Sequence, residues 1–251
     1  MSSASHVHQH HHQHTHEAAL PQNIQGDIAA ANKAHFDAHA HSYDDTPSVL
    51  RVTKEIGKSI VETIPFNKEK TTVLEYACGT GLVSNELVPY CKSLVGVDIS
   101  EGMIKEFVKR FEKQELPPTK VRGICQELKG EQGELNGETF DVVVCSMAYH
   151  HFDPKNLQSI TDMLASFLKP AGFLAVIDGQ PNADGSATIG GNHGNVNPAA
   201  LGKTTGFSQA DMEGLFNGAG LTFRSYKHVT SFEFPGGGTL NAFLATAQKT
   251  K

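Results

Sequence analysis

Val73-Leu74-Glu75-Tyr76-Ala77-Cys78-Gly79-Thr80-Gly81, followed by Val95-Gly96-Val97-Asp98-Ile99-Ser100, decides how this chain folds. The first run begins apolar and breaks into glycines, so it reads as a buried strand running into a tight turn and then a helix. The second reads as the next strand, ending on an acid. A strand, a glycine turn, a helix and a strand closing on Asp98 build a nucleoside pocket at the carboxyl edge of a parallel sheet. Glycine lets the backbone approach the ligand, and the carboxylate accepts hydrogen bonds from ribose hydroxyls.

The spacing excludes the commoner nucleotide sites. A dinucleotide turn reads G-x-G-x-x-G, with a third glycine for close helix packing. Here those positions are Ala77, Gly79 and Leu82, with Gly81 out of place. A G-x-x-x-x-G-K-[ST] phosphate loop is absent, and no Lys or Arg lies between Thr71 and Lys92 to face a pyrophosphate. Glu75 sits near the strand's end instead. An acid there suits a ligand with positive charge and no phosphate, such as S-adenosylmethionine, which carries an ammonium and a sulfonium.

At these residues the chain resembles the class I S-adenosylmethionine-dependent methyltransferases, most of all the small-molecule branch of the ubiquinone/menaquinone-biosynthesis type. That family opens on hydrophobic–hydrophobic–[D/E]–x–G–x–G–x–G. The chain matches at Glu75, Gly79 and Gly81 and departs at Ala77, where alanine is tolerable provided the residue needs no positive φ. Ser100-Glu101-Gly102-Met103-Ile104 looks like the start of the family's next helix. Phe140 to Phe152 looks like its fourth-strand motif, and Leu168 to Asp178 like its turn into strand five. The resemblance runs from about Asn32 to the C-terminus.

It implies a Rossmann-like methyltransferase fold with S-adenosylmethionine as cofactor and S-adenosylhomocysteine as product. Glu75 would meet the ammonium, directly or through water. Ala77, Cys78, Gly79 and Gly81 would line the methionine portion, Asp98 the ribose, and Ile99 and Met103 the adenine. Cys125 and Gln126 follow the third strand, where the family usually places an acid near the adenine amino group. Cys145 and Ser146 would sit beside the sulfonium. The family's N-terminal segment folds over the cofactor as a lid. Phe36, His39 and Tyr43 are therefore candidate pocket residues, Tyr43 on the cofactor side and the other two on the acceptor side. Packing against the next helix is the alternative role for all three.

The pattern of the remaining chain agrees with one α/β domain of 251 residues. Residues 1–23 form a His-rich, low-complexity tail, 24–66 a helical lid, and 67–251 the Rossmann-like domain. The tail reads as disordered, although such tracts also bind zinc, copper or nickel weakly; no metal site is assigned. In the second lid helix, Val49, Val52, Ile56 and Ile60 recur at spacings of three and four, a core-facing stripe. Strands are expected at 71–77, 93–98, 119–124, 140–146, 172–178, 221–232 and 239–248, and helices at 24–44, 47–64, 81–90, 101–115, 156–168 and 208–218. This alternation predicts a doubly wound, mostly parallel seven-stranded sheet. Only Pro235-Gly236-Gly237-Gly238 joins the last two strands, too short for a parallel crossover, so they form a C-terminal antiparallel hairpin. The Gly- and Asn-rich stretch 179–208 reads as a cap loop over the acceptor.

A formal net charge of −6 argues against a nucleic-acid partner. No apolar run approaches the length of a membrane span, and Met1 to Glu17 is polar, unlike a signal peptide. Four cysteines without a C-x-x-C pair suit a reduced, cytoplasmic protein. The oligomeric state is not legible.

For the chemistry, the exit of the fourth strand carries Met147 and Tyr149 as acceptor contacts. His150 is the first candidate general base, His151 the second and His193, in the cap loop, the third. The acceptor is expected to be a small molecule. Three alternatives stay open. One is a protein acceptor, although the N-P-P-[YF] signature of amide and base-amine methylation is replaced by Cys145-Ser146-Met147-Ala148. Another is a metalloid such as arsenite, held by Cys78, Cys125 and Cys145. The last is a domain that binds the nucleoside without catalysis.

Overall fold

The computed structural model describes residues 28–45, 47–185, 203, 205–233 and 239–250. The expected tail, most of the cap loop with His193, and the Pro-Gly-Gly-Gly connection lie outside the described residues. The chain opens on α1 (Ile28–His39), a 3₁₀ turn (Ala40–Asp45) and α2 (Pro47–Thr63). Then follow β1 (Thr72–Tyr76), α3 (Leu82–Leu87), β2 (Ser93–Asp98), α4 (Glu101–Glu112), β3 (Val121–Cys125) and β4 (Phe140–Ser146). The last elements are α5 (Leu157–Ser166), β5 (Leu168–Gly179), α6 (Gln209–Gly218), β6 (Leu221–Glu233) and β7 (Thr239–Lys249).

The strands form one seven-stranded sheet in the order β3-β2-β1-β4-β5-β7-β6. The first five are parallel, and β7 runs antiparallel to both β5 and β6. This is the doubly wound sheet with a terminal antiparallel hairpin that the sequence predicts. The strand order reverses between β1 and β4, so the helices that follow them splay to opposite faces and leave a crevice at the carboxyl edge.

Alternation within each strand splits the core in two. Leu74, Tyr76, Val97, Val143, Cys145 and Val176 face α5 and α6, with Leu164, Met212 and Phe216. Val73, Leu94, Val142, Val144 and Ile177 face α2, α3 and α4, with Ile56, Ile60, Leu87 and Phe107. The stripe read on α2 is thus the one that packs.

Several expected bounds shift by a few residues, two of them with a visible structural reason. The single helix expected over 24–44 ends at His39 and tightens into the 3₁₀ turn, where Asp44 becomes tied to Thr80 and Arg110. Strand five begins at Leu168, earlier than the expected 172. The early start follows a register shift against β4 between Phe140 and Val142.

Candidate active site

The β1–α3 turn comes first. Gly79 has φ +54° and Gly81 φ +82°, conformations that glycine adopts freely. A Cβ built on Gly81 would lie 2.6 Å from the Phe107 ring, while one on Gly79 would meet nothing within 4 Å. The turn is therefore packed beneath Gly81 and open above Gly79. Ala77 also has positive φ, at 56°. The condition under which alanine was tolerable here is not met, and the turn carries left-handed strain of roughly 1–2 kcal/mol.

Asp98 ends β2 and is 9% exposed. Its Oδ2 accepts the Gly79 N–H at 2.9 Å and its Oδ1 the Ser100 N–H at 2.9 Å. Burial raises its pKa, while the amides of Ser100 and Gly79 oppose the rise. Each oxygen keeps a lone pair for a further donor. The acid thereby locks the glycine turn to the next strand while remaining able to accept a diol. Gln126 joins this edge through its N–H to the Asp98 carbonyl at 3.0 Å, and Ile99 and Gln126 are half-buried. Met103 is buried, and its N–H is capped by Ser100 Oγ.

Glu75 is 2% exposed and accepts from Ser84 Oγ of α3. Desolvation pushes its carboxyl up to about 8, against the Ser84 hydrogen bonds that lower it. At neutral pH it is mainly the neutral acid. A cation brought beside it would draw the proton off.

The segment before the sheet is fastened over this edge by polar ties. Asp37 Oδ1 accepts from Ser100 Oγ at 2.6 Å and from the Gly102 N–H at 2.9 Å. Burial works against ionisation of Asp37, but bonds from Lys33, Ser100 and Gly102 prevail and hold its carboxyl at about 2. Thr80 Oγ1 donates to Asp44 at 2.6 Å, and Arg110 bridges Asp44 and the Thr80 carbonyl. Asn32 Nδ2 donates to the His151 carbonyl at 2.9 Å. The Phe36 ring packs edge-on to His151 at 5.1 Å and to Tyr43 at 6.3 Å. Tyr43 is exposed at this edge, and its phenol is raised by desolvation, with Asp44 and Asp98 adding to the rise. His39 is turned back onto its own helix, its Nδ1 2.7 Å from the His35 carbonyl. A groove of about 900 Å³ lies away from this edge, beside Ile64, Phe66 and Tyr90. It has none of the carboxyl-edge residues.

At the end of β4, Met147 has φ 53°, and its N–H donates to the Ile177 carbonyl at 2.7 Å. Ser146 Oγ is buried without a hydrogen-bond partner, which leaves a donor and acceptor at the exit of the crevice for a ligand to satisfy. His150 is buried, with Nδ1 2.9 Å and 3.0 Å from the two carboxylate oxygens of Asp178. Its ring lies 4.1 Å from that of His151.

Tyr149 corrects an expectation. It is fully buried in the core facing α5 and α6, and its hydroxyl lies 3.1 Å from Thr161 Oγ1. It packs the turn from beneath and presents nothing to an acceptor. The metalloid alternative also fails on geometry. Cys78 belongs to one face of the sheet and Cys145 to the other, while Cys125 is exposed with Sγ 3.6 Å from the Ile99 carbonyl. No cluster of three His, Cys, Asp or Glu occurs among the described residues. Burial also raises the Cys78 and Cys145 thiols well above their usual range.

Asp178, Ser84, Asn32, Asp37 and Asp44 have no role in the sequence reading. Asp178 had a signal: Ala175-Val176-Ile177-Asp178 repeats the apolar-strand-to-acid pattern of Val95 to Asp98. The lid acids had none, because their partners are distant in sequence.

Fold and site together define a doubly wound nucleoside-binding domain with a glycine turn, a strand-end acid and an orphaned hydroxyl at the crevice. The chain belongs to the class I S-adenosylmethionine-dependent methyltransferases. A methyltransferase domain model matches residues 73–172. An uncharacterised methyltransferase of Schizosaccharomyces pombe is 32% identical over 78% of this chain and 80% of its own. A ubiquinone biosynthesis O-methyltransferase of Pseudomonas paraeruginosa is 31% identical over 65% of this chain and 69% of its own. Among solved structures, the 1,6-didemethyltoxoflavin N1-methyltransferase of Burkholderia thailandensis, with its substrate and S-adenosylhomocysteine bound, superposes with a TM-score of 0.68 at 18% identity. That match covers 94% of this chain and 93% of the other, and it supports the fold.

Proposed function

We propose that this enzyme moves the methyl group of S-adenosylmethionine to a small-molecule acceptor by in-line displacement. The observation that carries the reading is the Asp98–Gly79 clamp, a strand-end carboxylate with lone pairs to spare beside a turn that is open above Gly79. Asp98 would hold the ribose diol, with Tyr43 over it. Ala77, Cys78, Gly79 and Gly81 would line the methionine portion by backbone, and Glu75 would give up its proton to face the ammonium. Ile99, Met103, Cys125 and Gln126 would surround the adenine. The orphaned Ser146 hydroxyl would stand at the sulfonium end, while Cys145, expected beside it, is fully buried in the core facing α5 and α6 and backs the strand from behind.

The cofactor supplies an already activated methyl group on a sulfonium. The chain's part is alignment and exclusion of water. The segment 28–45, fastened through Asp37, Asp44 and Asn32, is the lid in this reading. Phe36, Met147 and His151 line the acceptor side, with His150 and His151 as proton acceptors. His39 turns away from that side, and His193 lies outside the described residues. A small acceptor is supported by the polar ties that hold residues 28–45 over the carboxyl edge and by the named substrates of relatives. The four free cysteines support a cytoplasmic setting, and among the described residues no helix is long and apolar enough to cross a membrane.

The test is incubation of the full chain with methyl-labelled S-adenosylmethionine and panels of small phenols, amines, thiols and carboxylic acids, beside a cell protein extract. Label in a small-molecule fraction is the expected result. Label confined to protein would overturn the acceptor assignment.

A further inference from the structure

We propose that Asp178 positions His150 as the base for a hydroxyl acceptor, so that the group methylated is the oxygen of a phenol or enol. The inference rests on the methyl-transfer reading above and adds the acceptor class and the proton's destination. Asp178 is fully buried at the end of β5. Its Oδ1 accepts the Gly179 N–H at 2.7 Å and its Oδ2 the His150 N–H at 3.2 Å. These backbone donors fix the carboxylate's rotation, and both oxygens converge on His150 Nδ1. An ionised carboxylate only accepts, so Nδ1 carries the hydrogen and the neutral ring leaves its lone pair on Nε2. Among the described residues nothing pairs with Nε2.

The turn does not need this pair to hold it. It is already tied by Met147 N–H to the Ile177 carbonyl, by Lys203 N–H to the His150 carbonyl and by Asn32 to the His151 carbonyl. Burying a carboxylate opposes folding, and an apolar contact would pin the same turn without that penalty. What a buried carboxylate adds is a fixed imidazole tautomer and stabilisation of the imidazolium as it forms. The other titratable groups near Asp178 are Cys145, Tyr149 and Tyr226, each raised chiefly by burial and so neutral. His151, its ring beside that of His150, is the remaining neighbour.

A base selects the acceptor. Carboxylic acids ionise near pH 4 and thiols near 8.5, so both supply their nucleophile at neutral pH, whereas a phenol near 10 does not. The acceptor oxygen forms its bond to the methyl carbon while the electron pair of the breaking carbon–sulfur bond stays on sulfur. His150 Nε2 takes the hydroxyl proton, Asp178 faces the resulting imidazolium, and the proton leaves to water.

The test uses the full chain, its His150→Gln and Asp178→Asn variants, and catechol, p-cresol and benzenethiol as probes with labelled S-adenosylmethionine. We expect methylated phenol from the wild type. Both variants should lose about 10²-fold or more of that kcat, with S-adenosylhomocysteine affinity unchanged within twofold and benzenethiol turnover reduced far less. Asp178→Asn should also move the acid limb of the pH–rate profile to lower pH. Independently of turnover, ¹⁵N NMR of the wild type should show His150 with hydrogen on Nδ1, and Asp178→Asn should lose that preference. Equal losses for phenol and thiol, an unshifted limb, hydrogen on Nε2, or no methylated phenol from protein that binds the cofactor would each overturn the inference. Failure of the folded wild type to bind the cofactor would instead sink the methyl-transfer reading beneath it.

Discussion

Glu75→Gln keeps the shape of a buried side chain and removes its ability to ionise. Glu75 is 2% exposed, bonded to Ser84 Oγ, and raised from 4.5 to about 8 in the folded chain, mainly by desolvation. A carboxyl raised in this way favours the folded state fully below its unfolded pKa. That contribution is lost as pH climbs from about 4.5 towards 8. Applying both values at pH 5.0 and pH 7.5 gives a loss of about 3 kcal/mol across that interval, an order-of-magnitude figure. Groups remote from Glu75 titrate alike in wild type and variant and cancel in the difference, and Asp98, which adds to the Glu75 rise, is a minor contribution beside desolvation. The assay is urea unfolding of both proteins at the two pH values. Glutamine should gain on the wild type by about 3 kcal/mol between pH 5.0 and 7.5. Parallel stability curves would refute the reasoning and mean that Glu75 is ionised in the empty protein.

Three substitutions probe the turn and its support. Gly81→Ala places a Cβ 2.6 Å from Phe107 at φ +82°. It should destabilise by about 2–4 kcal/mol in thermal or urea unfolding, strain and overpacking together. Ala77→Gly relieves a left-handed alanine at φ 56°. Relief of about 1–2 kcal/mol against an entropic loss of about 0.4–1 should leave it as stable as the wild type or up to about 1.6 kcal/mol better; clear destabilisation would contradict the strain. Tyr149→Phe removes a hydroxyl bonded to Thr161. It should lower stability by about 1 kcal/mol and leave KM for any acceptor unchanged, since the ring lies beneath the site.

The sheet was legible because its signals are local. Apolar strands bounded by glycines, and an acid closing β2, follow from periodicity and turn chemistry over a few residues. The hairpin followed from the length of one loop. The lid was legible as helix but not as an attachment. Asp37 meets Ser100, Asp44 meets Arg110, and Asn32 meets His151 across long stretches of chain, and nothing local announces such pairs. Tyr149 was misread for a related reason. Its place beside the histidines suggested the site, but the 3₁₀ turn over Tyr149–His151 sends adjacent side chains in different directions, one into the core and one to Asp178. Ala77 shows the limit of motif matching, since a backbone angle decides whether alanine there is neutral or strained.

The central claim is that Asp98 and the glycine turn hold the nucleoside of the methyl donor. Calorimetric titration of S-adenosylmethionine into the wild type and Asp98→Ala tests it most directly, with circular dichroism confirming that both are folded. The account predicts micromolar binding by the wild type and a loss of at least 30-fold, about 2 kcal/mol, in the variant. Equal affinity in the two proteins, or none in a folded wild type, would contradict it.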